Sequence, residues 1–484
     1  MKALIGIDEG TSAVKAVMFD LRLRPLAQVR REKPTSHPGE GLVEQDPALI
    51  LAAVVDAVAG LLDQVPEAEI VACGLDHQGE SVLAFERESG RPLSPVITWQ
   101  DKRSQPLLDR LGAVTTARVT ELSGLPADPY FSAGKVAWIL GQDLPDDVCV
   151  GTVDAYLSAQ LGGGFATDLS TASRTQLARL GAADWDPELC SIFGVAPGCL
   201  PALRDSVGEL GTLRHPRWRA ELPLRAQVVD QQAALAGSGC VVPGRAKATF
   251  GTGVFVLGFM GATAPTHAAQ LGVLPTVAWS IGGRPHYALD GGVFSAGSLV
   301  EWLVDGLGIY DSPEDFARLA ASVSDAKGVR VLPALSGLGA PWWRPAARAV
   351  ISGLATGTDR RHLARAATEA ICHRVCDILD AMRELAPIEG MRIDGGLTAS
   401  EVLPQLLADT AQHPVELGAV DTTALGAAAL AAVGAGVLPG VEAIGELLQP
   451  VRTLRPRGAA GDRAAWRAFV ERAAALTEPD PDGA

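Results

Sequence analysis

Short runs of apolar and β-branched residues alternate along the chain with longer stretches in which apolar positions recur every three or four residues. The runs Ala3–Ile7, Ile70–Leu75, Ala226–Val229 and Met391–Ile393 read as strands, and Pro47–Leu62 and Leu363–Arg383 carry helical spacing. That alternation predicts an α/β fold whose sheets are covered on both faces. Ala424–Leu438 is apolar but mostly Ala and Gly. It is too short for the roughly 20 residues that cross a bilayer and reads as a close-packed buried helix.

Two segments share one design. Ile7-Asp8-Glu9-Gly10-Thr11-Ser12-Ala13-Val14-Lys15 and Thr249-Phe250-Gly251-Thr252-Gly253-Val254-Phe255 each run from a β segment through a Gly-Thr turn into a second β segment. Glycine in such a turn lets backbone N–H groups approach an anion. Taken singly, each also fits an ordinary hairpin; taken together they predict two duplicated domains facing a common cleft. Gly237-Ser238-Gly239 followed by Val242-Pro243-Gly244 marks the expected boundary, dividing the chain into 1–239 and 240–484. The end, Pro479–Ala484, is expected to fray.

With 484 residues the chain is long enough for two to four domains of about 100–200 residues each. Its formal net charge of -15 opposes binding to nucleic acid or to anionic membranes. The seven cysteines are scattered and include no CxxC pair, which argues against a disulfide framework or zinc knuckle and for a reducing compartment. The sequence opens on a strand-like run without the pattern of a secretory leader, so a cytoplasmic location is expected.

Asp8 closes a strand and is followed by Gly10, Thr11, Ser12 and Lys15, a grouping suited to a metal ion and phosphate oxygens. GxxxxGK[ST] does not occur, so a nucleotide would be held by another architecture. Asp394-Gly395-Gly396 follows a strand and precedes a helical stretch, where a phosphate or a planar base has room to approach, though such a turn is often only a turn. Asp230 ends an apolar strand before Gln231 and Gln232; it suits a base that accepts a proton from an alcohol, and equally a helix N-cap. Asp76–Glu80, Trp99-Gln100-Asp101 and Asp128–Phe131 supply the polar tips and aromatic walls from which polyol sites are built. His77 reads as a hydrogen-bonded structural residue, and Cys372 and Cys376 as packing cysteines.

In combination, Ile5–Ser12, Glu86–Leu93 with Thr98–Arg103, Asp128–Ser132, Gly151–Asp154, Thr171–Thr175, Asp230–Ala234, Phe250–Gly253, Gly337–Pro341 and Asp394–Gly396 resemble the FGGY carbohydrate kinases, most of all their glycerol kinase branch. The resemblance spans roughly residues 3 to 437. It implies two actin-like, ribonuclease-H-like domains around a central cleft for ATP, Mg²⁺ and a small polyol or sugar, in a homodimer. By position it makes Asp230 the base and places Asp8 near the metal. Thr11, Ser12, Lys15, Gly251 and Thr252 fall to the phosphates, and Gly297, Gly396 and Ser400 to the rest of the nucleotide. Gln78, Glu80, Tyr130, Asp230 and Gln231 fall to substrate hydroxyls, with Trp99 and Phe255 as apolar walls.

The chain departs from that branch at several points. His77-Gln78-Gly79-Glu80-Ser81 stands where glycerol kinases have Asn-Gln-Arg-Glu-Thr, so Gly79 replaces a substrate-binding arginine and its donors. The vacated volume favours a longer polyol or a sugar over glycerol. Glu301 and Ser400 stand where the branch has Gln and Asn, and Leu213–Pro223 lacks the glycine-rich loop through which some members bind a regulator. A pentulose kinase such as a xylulokinase, and a non-catalytic ATP-dependent sugar sensor of the same superfold, are the alternatives.

Overall fold

The computed structural model describes residues 1–145, 147–418, 421–458 and 461–477; the expected frayed end, Pro479–Ala484, lies outside them. Thirteen strands form one sheet: β1 (Lys2–Glu9), β2 (Ala13–Phe19), β3 (Pro25–Glu32), β4 (Glu69–His77), β5 (Val207–Leu213), β6 (Leu222–Val229), β7 (Arg245–Phe250), β8 (Val254–Gly261), β9 (Leu274–Ile281), β10 (Arg284–Val293), β11 (Gly390–Asp394), β12 (Val415–Leu417) and β13 (Arg452–Leu454). Their spatial order is β13-β12-β11-β7-β8-β10-β9-β5-β6-β4-β1-β2-β3.

The duplication is visible in the pairing. In β3-β2-β1-β4-β6, an antiparallel meander of three strands continues into two parallel ones. The unit β10-β8-β7-β11-β12 repeats that order and those directions. Strands β5 and β9 join the two units through one registered pair, Val207 with Ile281. Asp8 and Asp394 stand at the ends of parallel strands, and Asp230 and Gly251 follow directly on β6 and β7, at the carboxyl ends where open α/β sheets bind ligands.

Helix α1 (Pro47–Gln64) starts on the Asp46 side chain, which accepts from Ala48 N at 2.8 Å, and has Pro at its first turn, where a missing N–H costs nothing. It is apolar and long enough to cross a membrane, yet half of it is buried inside the protein, with Val54, Val58, Leu61 and Leu62 in the core beside β1, β2 and β4. Helix α2 (Asp230–Gly237) leaves the end of β6, and α3 (Gly297–Glu301) follows β10. The long periodic run is helix α4 (Arg360–Arg383), capped by Asp359 one turn earlier than the apolar pattern alone indicates. The alanine-rich run forms α5 (Thr422–Gly434), which comes from the second half of the sequence and packs on α2, β1, β4 and β6 of the first. This approach is possible only over glycine: a Cβ on Gly6 would lie 2.0 Å from Ala424 O, and one on Gly74 2.0 Å from Ala427 O.

Candidate active site

Three carboxylates converge at strand ends. Asp76 is in parallel register with Asp8 on one side and with Val228 on the other, so the Asp8 and Asp76 side chains leave the sheet on the same face, and Asp230 follows two residues after Val228 at the start of α2. Asp76 is fully buried and shares a side-chain hydrogen bond with Asp8, its raised carboxyl donating to the Asp8 carboxylate. Burial, followed by the charges of Asp8 and Asp230, pushes its carboxyl well above the ordinary range. Burial also lifts Asp8 to about 6 against the opposing pull of Lys15. Asp230 is lifted to about 6 by burial and by Asp8, with Lys247 pulling the other way. Asp230 does not cap its helix: Val229 is the N-cap, and the Asp230 carboxylate accepts from Gln231 N at 2.6 Å. The N-cap alternative is therefore set aside, and the carboxylate is available to the cleft.

The two Gly-Thr turns meet through the start of α5. Lys15, on the first hairpin, forms an ion pair with Asp421, the residue that precedes α5. Its neighbour Thr422 donates to Asp394 Oδ2 at 2.5 Å, at the end of β11. Gly395 then lies so close to the second hairpin that a Cβ there would sit 2.3 Å from Phe250 O. Gly251 O and Thr252 O accept from Gly297 N and Ser298 N, each at 3.0 Å, which ties that hairpin to the start of α3. On the first hairpin, Thr11 Oγ1 accepts from Trp99 Nε1 at 3.1 Å and Thr11 O from Gln45 Nε2 at 2.6 Å, while Ser12 is exposed. The two turns are thus linked through Asp421, Thr422 and Asp394 at the start of α5.

Glu80, Tyr130, Asp230, Gln231 and Phe255 line one small pocket, joined by Arg174, Val229, Gln232, Leu257 and Asp290. Arg174 is buried; its Nε donates to Glu80 Oε1 at 2.7 Å, its Nη2 lies 3.0 Å from Asp290 Oδ2, and its guanidinium stands over Phe131 at 5.3 Å. Burial lifts the Glu80 carboxyl above its usual range, and Arg174 opposes this. Tyr130 is held by a loop whose carbonyls at 129, 130 and 131 all accept from Lys135 Nζ at 2.6–2.9 Å; burial lowers that lysine to about 7. Lys247, also buried, donates to Gln231 Oε1 at 2.5 Å and aims that amide.

Two expected substrate residues stand elsewhere. Gln78 lies behind the pocket, fully buried, because its amide nitrogen is spent on Glu9 Oε1 at 3.0 Å and Gln45 Oε1 at 2.8 Å. Trp99 stands edge-on to Tyr130, ring centroids 5.6 Å apart, and backs that wall without lining it. Gly79 is not among the lining residues either, and Val229 Cγ1 stands 3.0 Å from where its Cβ would be, so the space beside it is already taken at the root of a side chain. His77 is structural: its ring bonds Thr171 Oγ1 and Gln78 O, both at 2.9 Å. Arg174 and Asp290 escaped the reading of individual residues. Arg174 lies inside the Thr171–Thr175 motif, which carried resemblance but no assigned role, and Asp290 precedes the Gly291-Gly292 pair.

On the other side of the second hairpin, Gly396 and Ser400 line a cavity of about 390 Å³ with Val300, Phe316, Thr368 and Leu397. Ser400 Oγ is turned toward the amides of Val402 and Leu403, 3.4 Å from each. The arrangement is a mostly apolar chamber, two glycine-rich turns linked through the start of α5, and a polar pocket lined by the Asp230 carboxylate.

Residues 3–237 match the FGGY family of carbohydrate kinases, N-terminal domain, and residues 246–435 match the C-terminal domain of that family. A glycerol kinase of Geobacter sp. (strain M21) is 42% identical over 90% of this chain and 91% of its own length. A glycerol kinase of Aromatoleum aromaticum is 39% identical over 98% of this chain and 99% of its own. Among solved structures, Plasmodium falciparum glycerol kinase with ADP superposes with a TM-score of 0.91 at 26% identity, covering 99% of each chain. A xyloylose kinase from Brucella ovis superposes with a TM-score of 0.88 at 27% identity, covering 98% of each.

Proposed function

Because the chain belongs to the FGGY family of carbohydrate kinases, an ATP-dependent kinase of sugars or polyols, we propose that its substrate is a small neutral polyol whose reacting hydroxyl faces Asp230. The observation that carries this reading is the position of Asp230, which lines the polar pocket with Glu80 and Arg174 while feeling the charge of Asp8 under the first hairpin. A carboxylate so placed accepts the proton of the attacking alcohol. Glu80, Asp230 and Asp290 outnumber the one guanidinium in the lining, which disfavours a substrate that is itself an acid. Arg174 brings to this pocket the type of cation that Gly79 lacks, so a three-carbon polyol still finds a charged donor. That removes the main ground for expecting a longer substrate.

With the acceptor in the polar pocket and the nucleotide in the apolar chamber, transfer rests on alignment more than on covalent chemistry. Among the described residues no group of three or more acidic, His or Cys side chains could hold a metal ion by itself; Asp8, with Asp230 near enough to feel its charge, suits Mg²⁺, which is held through one or two carboxylates together with substrate phosphates. When bound, the ion neutralises charge on the phosphoryl oxygens. Asp8 is its proposed holder. Thr11, Ser12, Gly251 and Thr252 are the proposed phosphate contacts, and Gly297, Gly396 and Ser400 border the nucleotide. Lys15 reaches a phosphate only by leaving Asp421.

ADP release measured across glycerol, erythritol, xylitol, xylulose and gluconate tests the proposal. Turnover of a neutral polyol, with gluconate inert, is the expected outcome. Xylulose as the best substrate would move the chain to the pentulose kinases, and no turnover with any compound would refute the proposal.

A further inference from the structure

The Arg174 and Asp290 pair is an incomplete hydrogen-bonding unit. Their ion pair uses Nη2 and Oδ2, and Glu80 takes Arg174 Nε. Arg174 Nη1 and Asp290 Oδ1 are both buried and, among the described residues, without a hydrogen-bond partner. One is a charged donor and the other a charged acceptor, they belong to the same ion pair, and both residues line the pocket that contains Asp230. Buried polar groups are nearly always satisfied, and a charged pair with one spare donor and one spare acceptor matches a hydroxyl, which gives one hydrogen and takes another. The pair is also braced: Phe131 and Tyr130 lie under the guanidinium at 5.3 and 6.0 Å, so Arg174 cannot swing away to solvent.

We infer that Arg174 and Asp290 together bind a hydroxyl of the substrate remote from the one that reacts at Asp230, and so form the specificity element that stands in for the side chain absent at Gly79. The inference rests on the reading of this pocket as the acceptor site. It assigns the substrate a minimum of three oxygens: one at Asp230 and two more that meet Glu80 and the Arg174–Asp290 pair. A compound lacking the remote hydroxyl leaves a buried donor and acceptor unmade, a deficit that binding elsewhere does not recover.

The test compares glycerol with propane-1,2-diol and propane-1,3-diol, each of which lacks one hydroxyl, in the wild-type chain and in Asp290→Asn, which keeps the volume and removes the charge. In the wild type, kcat/KM for at least one diol is expected to fall about 100-fold or more below that for glycerol. In Asp290→Asn that ratio is expected to shrink to less than about tenfold, mainly through a raised KM for glycerol, with KM for ATP unchanged. Wild-type turnover of both diols at the rate of glycerol would overturn the inference without any variant. Undiminished discrimination in Asp290→Asn would overturn it while leaving the kinase reading intact. Failure of every polyol to release ADP would overturn both. Arg174→Lys, which retains the charge but not the fork, supplies an independent check: it is expected to lose the same discrimination and to unfold within a few degrees of the wild type.

Discussion

Replacing Asp230 by Asn removes the proposed base while leaving its surroundings nearly unchanged. The Asn oxygen can still accept from Gln231 N, which is 2.6 Å from the present carboxylate, so the first turn of α2 is retained. With the carboxyl lifted to about 6, it is about 99% ionised at pH 8 and half ionised at pH 6. The base is therefore in its working form over the neutral range, and wild-type kcat/KM should fall about tenfold per pH unit below about 6. A positioned base contributes roughly 10²- to 10⁴-fold, or about 2.7–5.4 kcal/mol of barrier. In an enzyme-coupled ADP assay at pH 8, Asp230→Asn should lose that factor in kcat. Its affinity for ADP by calorimetry should stay within about threefold, because the chamber lined by Gly396 and Ser400 is untouched. The folded protein should also be no less heat-stable than the wild type, since a charge whose burial is costly has gone. Turnover within tenfold of the wild type would refute the assignment of Asp230 as base.

Two further perturbations probe the frame around the site. Asp76→Asn should raise the melting temperature of the ligand-free protein at pH 8: with its carboxyl well above the ordinary range, the native state binds more protons than the unfolded chain, so wild-type stability declines as pH rises from about 4. The gain should shrink on moving toward pH 4; a gain that grows with falling pH would contradict the assigned shift. Gly74→Val should cost more than the about 1–3 kcal/mol of ordinary overpacking in urea unfolding, because its Cβ would lie 2.0 Å from the backbone oxygen of Ala427, which has no rotamer to move. Unchanged stability would mean that α5 does not seat on β4 as described.

The elements themselves were legible because their causes are local. A Gly-Thr turn between two β runs marks both hairpins, apolar spacing marks α1, and a run of mostly Ala and Gly reads as a helix packed closely on something. The same locality made Asp8 and Asp230 recognisable, each a carboxylate at the end of an apolar strand. Partnership was not legible. Gln78 is drawn off the substrate by Glu9 and Gln45, Lys15 is held by Asp421, and Arg174 reaches Glu80 across 94 positions of sequence. Such pairings depend on which strands lie side by side and how far each ends beyond its neighbour, quantities that no single segment carries. Sequence thus determined which residues stand at strand ends and in turns, through backbone preference and apolar periodicity. Only the folded sheet decided which of them share a pocket, because a buried charge settles on whichever opposite charge or donor the tertiary packing leaves within about 3 Å.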